Sequence, residues 1–388
     1  MNKKFEITFN ILSKRNLSKT KKLFIAERKK FLSLFEENFC DMCAEIVKLQ
    51  NKSIVSAISR MEYTMLNTNF IERNYIAEIW IYDDYRYCDK KQRTVGHVDI
   101  SSLFVCFDEL WERVISERKR FVNKVSSNDI TECMLKALPV YYAYLNDIIH
   151  SAIASCLDKK SFTDIIKNDL FRINVGDYMA KTEVMYSFNK NKDVNSLAKL
   201  IEEKNYYSFA AEDCSDLDFS GCSFTRPKLK YGHFRNSVLN DAKFYNATLT
   251  GANFRDTQME RSVLDYSFIY DADFSYANLK YASFRYALGF NNMLYSESLK
   301  LVSCFPVSFC YTDLTNVNFQ KADLTGADFN NANLTNTNFV GAKLDNSDFR
   351  HAIIADTDFT DAKLTNAIFS TRDLPLSDEQ LSKVIIND

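Results

Sequence analysis

The sequence predicts an α+β domain followed by a solenoid of five-residue period, closed by a short helix. From Phe219 to Phe369 every fifth residue is large and apolar. Of the 31 stepped positions only Gly289 and Cys304 are not Leu, Ile, Met or Phe. A small residue stands two places before most of them, as at Ala242, Ala252, Ala322 and Ala332. Ahead of this block the pattern changes to spacings of three and four, interleaved with alternating stretches. A period of five fits neither the 3.6 of a helix nor the 2 of a strand. A fixed short period means stacked units that bury their apolar faces on one another.

Taken in order, Phe24, Phe31, Phe35, Phe39, Met42, Ile46 and Leu49 predict one long amphipathic helix. Residues 54–66, 75–87 and 94–100 alternate as strands, with a turn at Asp89-Lys90-Lys91-Gln92. Phe107, Trp111, Val114, Phe121 and Val125 predict a second helix, and Ile130 through Ile153 a third. A strand-like piece from Phe171 to Phe188 leads through a helix near 194–204 into the first coil. Residues 1–204 read as an α+β domain that also seals the open end of the solenoid, because an uncapped coil exposes a pairing edge.

Runs such as Ala322-Asp323-Leu324-Thr325-Gly326 and Ala327-Asp328-Phe329-Asn330-Asn331 resemble the pentapeptide-repeat family, whose motif is A(D/N)LXX. The resemblance implies a right-handed, four-sided β-helix over 205–372, with one pentapeptide per side and about eight coils. The layout of residues 1–204 also resembles members from low-GC bacteria, which implies no activity. Residues 373–388 form the third segment. There Ser377 and Gln380 match a capping box, and Leu381, Val384 and Ile385 supply an apolar face. A capping helix over the last coil is expected, with a dimer contact as the rival that resemblance to the quinolone-resistance members implies.

Composition bounds the chemistry. A net charge of −2 and 46% hydrophobic content describe an ordinary globular chain. Ten scattered cysteines, and Glu6 where a secretory leader needs its apolar run, predict a reduced, cytoplasmic protein. With no apolar run near eighteen residues, no membrane span is expected. Cys40-Asp41-Met42-Cys43 has metal-ligand spacing but lies in a helical apolar stripe without a second pair, so core packing is the expectation. His97, His150, His233 and His351 fall in unrelated contexts, and no Gly-rich phosphate loop is present. No metal, cofactor or catalytic set is predicted. Ten lysines and arginines in residues 1–30 suit a solvated helix face rather than a nucleic-acid arm.

The solenoid surface carries the functional expectation. Residues 226–286 hold nine basic residues against six acidic, amid tyrosines, and residues 311–369 hold eight aspartates against four basic residues. Residues twenty apart stack on one face, so Arg235 should lie under Arg255, Arg261 under Tyr281 and Tyr266 under Tyr286. Tyr and Arg together mark interfaces, and Arg235, Arg255, Arg261, Tyr266, Tyr270, Tyr281, Arg285 and Tyr286 are the candidate partner surface. Plain stacking ladders are the alternative. The function expected is a non-enzymatic scaffold for an unidentified protein, as a monomer or a dimer through the C-terminal segment. A DNA mimic that occupies a type II topoisomerase is the second reading. Such a mimic needs a dominant negative potential along the rod, which this mixed charge does not give, and DNA binding is not expected.

One irregularity stands out. From Phe224 to Phe284 phenylalanine takes the steps ending in 4 (224, 234, 244, 254, 274, 284) and from Phe309 the steps ending in 9, although alternate steps are opposite faces. Degeneration blurs a pattern without exchanging its faces. An excursion near 289–305, a loop or short helix with an odd multiple of five extra or missing residues, restores phenylalanine to one pair of faces.

Overall fold

The computed structural model describes residues 2–83, 92–122, 124–177, 182–194, 197, 210–224, 226–290, 305–371 and 374–387. The chain divides into two compact units, the first built on Met1–Phe188 and the second starting at Asn189.

The first unit opens with helix α1 (Lys3–Ala26), capped by the Asn2 side chain, which accepts the Lys4 N–H at 3.0 Å. Its inner face buries Phe5, Phe9, Leu17 and Phe24, while Lys3, Lys4, Lys14, Arg15, Lys19 and Lys22 are exposed. The basic N-terminal residues are therefore the solvated side of a helix. The chain bends at Glu27 (φ −99, ψ 9) into α2 (Arg28–Asn51). The single long helix expected here is two, and Phe24 belongs to the first. Asn16 joins α1 to its neighbours: its Nδ2 donates to the Cys106 carbonyl at 2.8 Å, and it accepts from the Tyr141 hydroxyl.

Strands β1 (Ile58–Met65), β2 (Ile76–Tyr82) and β3 (Arg93–Asp99) form an antiparallel meander, with the short helix α3 (Asn67–Ile71) after β1. Helices α4 (Val105–Arg118), α5 (Ser127–Cys156) and α6 (Lys160–Thr163) follow. The piece expected as one strand over 171–188 is two, β4 (Lys167–Asp177) and β5 (Thr182–Asn189). The sheet order is β3-β2-β1-β4-β5, with β4 parallel to β1. Phe35 of α2 meets Tyr63 of β1, and Phe24 of α1 stacks on Tyr144 of α5. A Cβ on Gly96 would lie 2.2 Å from Met42 Sδ, so the Met42 side chain of α2 lies directly on the β3 backbone there.

In the second unit the five-residue steps close into coils of twenty residues. Four ladders of parallel bridges define the sides, for example Asp218↔Val238, Ser223↔Lys243, Lys228↔Thr248 and His233↔Asn253. Each pentapeptide position has a physical job. The central Phe, Leu, Ile or Met fills the axis, and all are buried from Phe219 to Phe284 and again from Phe309 to Phe349. Ile354, near the C-terminal end, is only half-buried, and Phe209 and Cys304 lie outside the described residues.

The residue before the centre, often Asp or Asn, turns its side-chain oxygen onto the N–H two places on. Asp328 accepts from Asn330 at 3.0 Å and Asn338 from Val340 at 2.9 Å, the Asx turn that rounds each side. At several coils a Ser or Thr in the small position sends its hydroxyl to a carbonyl 23 residues earlier, as Ser267 to Phe244 and Thr337 to Leu314. The corner residue two places after the centre adopts positive φ throughout, as at Asn236 (59°) and Gly326 (76°).

The break is resolved by the ladders. Phe268 pairs with Leu288, twenty residues on, but Asp273 pairs with Ser308, Asn278 with Asp313 and Leu288 with Asp323, each 35 on. From Ser308↔Asp328 onward the step is twenty again. The coil thus holds fifteen surplus residues at this point, an odd multiple of five. The Asp271 N–H reaches the Phe305 carbonyl at 3.0 Å, so the chain rejoins its path at Phe305. Whether the surplus is a loop or a helix concerns 291–304, which lie outside the described residues. Gly289 replaces the usual leucine because a Cβ there would lie 2.8 Å from Val307 Cγ1 and 3.1 Å from Leu324 Cδ2.

At the C-terminal end, helix α7 (Asp378–Leu381) forms the expected capping box between Ser377 and Gln380. The Gln380 amide then donates to the carbonyls of Phe359 at 2.8 Å and Ala362 at 3.1 Å. Strand β8 (Ile385–Ile386), not legible in the sequence, adds a parallel rung to β7 (Ile368–Phe369), which pairs in turn with β6 (Asp348–Phe349). At the other end Leu197 and Val194 pack on the solenoid core, while most of the helix expected near 194–204 lies outside the described residues.

Candidate functional site

The ladders fix where each surface residue falls, and the eight candidates do not form one patch. Tyr266, Arg285 and Tyr286 share one corner of the coil, Arg235 and Arg255 another, and Arg261 and Tyr281 a third. Tyr270 is a correction: it is only 6% exposed, and burial pushes its hydroxyl up to about 12. It belongs to the wall.

The first corner is the most developed. Tyr266 and Tyr286 stack at 4.9 Å with planes within 7°, and Tyr245 tilts against Tyr266 at 5.3 Å. Tyr245, Tyr266 and Tyr286 remain 43%, 43% and 37% exposed. Beside them, the buried carboxylate of Asp265 accepts from Arg285 Nε at 2.9 Å, from Arg285 Nη2 at 2.7 Å and from the Ser283 hydroxyl at 2.5 Å. The Arg285 guanidinium is thereby held at the surface next to the tyrosine rings. Lys321 completes the edge, its Nζ 5.7 Å from the Tyr286 ring centre.

At the second corner the Arg255 guanidinium lies 4.5 Å from the Tyr276 ring centre, and Arg235 Nε bonds Asp256 at 3.1 Å. Tyr276 stacks on Tyr311 at 4.9 Å with planes within 4°. Tyr311 was missed by sequence reasoning because its partner is 35 residues away, and only the phenylalanine exchange signalled that offset. At the third corner Arg261 clamps Asp241 through Nε and Nη2 at 2.8 and 3.0 Å and also reaches Glu260. Above it Tyr281 is 58% exposed and has no ring partner among the described residues.

Several charges on the rod pair between rungs, as Lys280 with Asp313 and Lys343 with Asp323, and Arg350 pairs with Asp348 on its own rung. Exposed pairs of this kind add little stability.

In the first unit burial is the main cause of the shifts at Glu62 and Lys167. Burial raises the Glu62 carboxyl, which Arg60 draws back from 3.2 Å. Burial holds Lys167 down to about 8, while its Nζ donates to the Phe162 carbonyl at 2.7 Å. Among the described residues no group of three His, Cys, Asp or Glu is placed to hold a metal ion, Cys40 and Cys43 included. No helix among them is long and apolar enough to cross a membrane.

The family description "Pentapeptide repeats" matches in eight copies, over residues 218–256, 252–287, 312–350 and 332–370. No curated protein matches the chain. Among solved structures, a trypsin-treated variant of QnrB1, a plasmid-mediated fluoroquinolone resistance protein, is 18% identical. That match covers 46% of this chain and 85% of the other, at a TM-score of 0.35. HetL, involved in heterocyst differentiation regulation in the cyanobacterium Nostoc sp. strain PCC 7120, is 22% identical over 41% and 72%, at 0.23. A protein of the Arabidopsis thaliana thylakoid lumen is 24% identical over 45% and 75%, at 0.11. Scores this low carry no functional argument, and the assignment rests on the repeat match and the four-ladder coil. The repeats at 218–287 and 312–370 of this chain belong to the pentapeptide-repeat family and fold as its right-handed four-sided β-helix.

Proposed function

We propose that the chain is a non-enzymatic, cytoplasmic scaffold that binds another protein through the tyrosine-rich corners of the coils flanking the fifteen-residue surplus. The supporting observation is the choice of corner residue. A left-handed backbone costs a bulky residue about 1 kcal/mol, and Asn, Asp or Gly fit it best. Of the six left-handed corners described from 266 to 311, five are tyrosine, and none of those from 316 to 366 is. Folding alone favours the later choice. Rigid aromatic rings beside fixed guanidinium groups are the usual anchors of protein interfaces. Stacking alone does not account for Tyr281, which is exposed without a ring partner among the described residues.

The test is capture of host proteins by full-length chain and by Tyr266→Asn/Tyr286→Asn, with Asn336→Ala as a control in a later coil. Asparagine keeps the corner conformation, so the coil should stand. Loss of a wild-type partner by the double variant alone supports the reading, and equal capture by all three contradicts it. The topoisomerase mimic is tested separately. Inhibition of gyrase supercoiling at low micromolar protein would favour the mimic, and the paired charges make no inhibition the expected result.

A further inference from the structure

We propose that Cys40 and Cys156 are a redox-active dithiol, which peroxide-type oxidants convert to a disulfide joining α2 to α5. Their sulfurs lie 3.8 Å apart across the helix pair, although the residues are 116 positions apart in sequence. In sequence the obvious partner of Cys40 is Cys43, but the two stand three apart on one helix, and Cys43 is fully buried.

The surroundings divide the two roles. Cys40 is partly exposed and meets the oxidant first, whereas Cys156 is enclosed. The Ser155 hydroxyl lies 3.6 Å from the Cys156 sulfur, and the Lys159 ammonium interacts with the same thiol. Burial raises the Cys156 thiol, and the Lys159 cation draws it back down. A neighbouring cation favours the thiolate, the nucleophilic form. Ser155 also donates to Glu36 of α2 at 2.6 Å, which fixes the two helices in register beside the thiols.

With hydrogen peroxide the step balances. The Cys40 sulfur takes one peroxide oxygen, the O–O bond breaks, and the departing hydroxide leaves as water with the Cys40 proton. Cys156 then attacks the Cys40 sulfenic sulfur. An S–S bond forms, the S–O bond breaks, and the second hydroxide leaves as water with the Cys156 proton. Two thiols are oxidised by two electrons, and one peroxide becomes two waters.

The test uses the reduced full-length protein, hydrogen peroxide, alkylation of remaining thiols and peptide mapping. A cross-link between the peptides carrying Cys40 and Cys156 is expected, with a thermal midpoint raised by several degrees and restored by dithiothreitol. Cys43→Ala should keep both effects, and Cys40→Ala, at the more exposed site, should lose both. No cross-link, or one from Cys40 to Cys43, overturns the proposal.

Discussion

The ring of Phe274 lies flat on that of Phe309, 35 positions later, with centroids 5.2 Å apart and planes within 10°. Phe254 stacks on Phe274 and Phe309 on Phe329 in the same way, at 4.9 and 5.2 Å. On the opposite face Phe284 meets Phe319 at 5.0 Å. One column of phenylalanine therefore runs from Phe234 to Phe369 without interruption, a second from Phe224 to Phe359 is broken only by Leu264, and leucine-type residues fill most of the other two faces. The surplus residues leave the core undisturbed because their number returns every side chain to its own column.

Removing a ring from a column should be costly. Phe329→Ala should lose about 3–5 kcal/mol, as for a filled core phenylalanine, since it stacks on both Phe309 and Phe349. Asn330 next to it is half-buried rather than exposed, and its Nδ2 reaches Asp348 at a long 3.4 Å. Asn330→Ala should cost about 1 kcal/mol or less. Urea midpoints of the two variants decide the point, and equal losses would mean the register is wrong.

The end of the rod should depend on one amide. Gln380 serves the Ala362 carbonyl, which a further coil would otherwise pair as Lys363 pairs that of Ala342, and the Phe359 carbonyl, which the Ala362 N–H also bonds. Gln380→Ala should cost about 1–3 kcal/mol and speed amide exchange in residues 356–369. Unchanged exchange there would show that β8 alone holds the end.

Lys167 gives the first unit a pH signature. Burial holds its folded-state value at about 8, against an ordinary 10.5, with Cys43 and Asp164 acting weakly the other way. Between those values the unfolded chain binds the proton and the folded chain does not, so this contribution to stability rises with pH through the window. Below it both forms are protonated, and the penalty is full and constant. Relative to Lys167→Met, the wild type should gain stability from about pH 8 to 10 and show a flat difference below about 7.5. Parallel curves from denaturation at each pH would remove Lys167 as the cause.

The solenoid was legible because one rule, a large apolar residue every five, holds regardless of tertiary context. The surplus was legible for the same reason: stacking columns must match, so exchanged phenylalanines count the missing steps. Tyr270 was misread because a residue after a coil centre usually faces water, and nothing local marks its burial. The eight candidates were taken as one surface because Tyr and Arg were grouped by their shared stretch of sequence, although the twenty-residue period already sorts them onto different sides. The division at Glu27 was hidden because apolar spacing continues across the bend, and β8 because two isoleucines are too short a signal for a strand. The pairing of Cys40 with Cys156 needed the packing of two helices.

The most direct test of the whole account is the pair Tyr276→Cys/Tyr311→Cys. These corners are stacked neighbours, with rings 4.9 Å apart, and backbone spacing at a rung is about 4.8 Å, within disulfide reach. A continuous twenty-residue coil would instead place residue 311 three sides away from residue 276. Mild oxidation followed by peptide mapping should give near-complete cross-linking of 276 to 311 with the fold retained. A folded double variant in which these two thiols stay free would contradict the fifteen-residue offset and, with it, the continuous tyrosine surface proposed for binding.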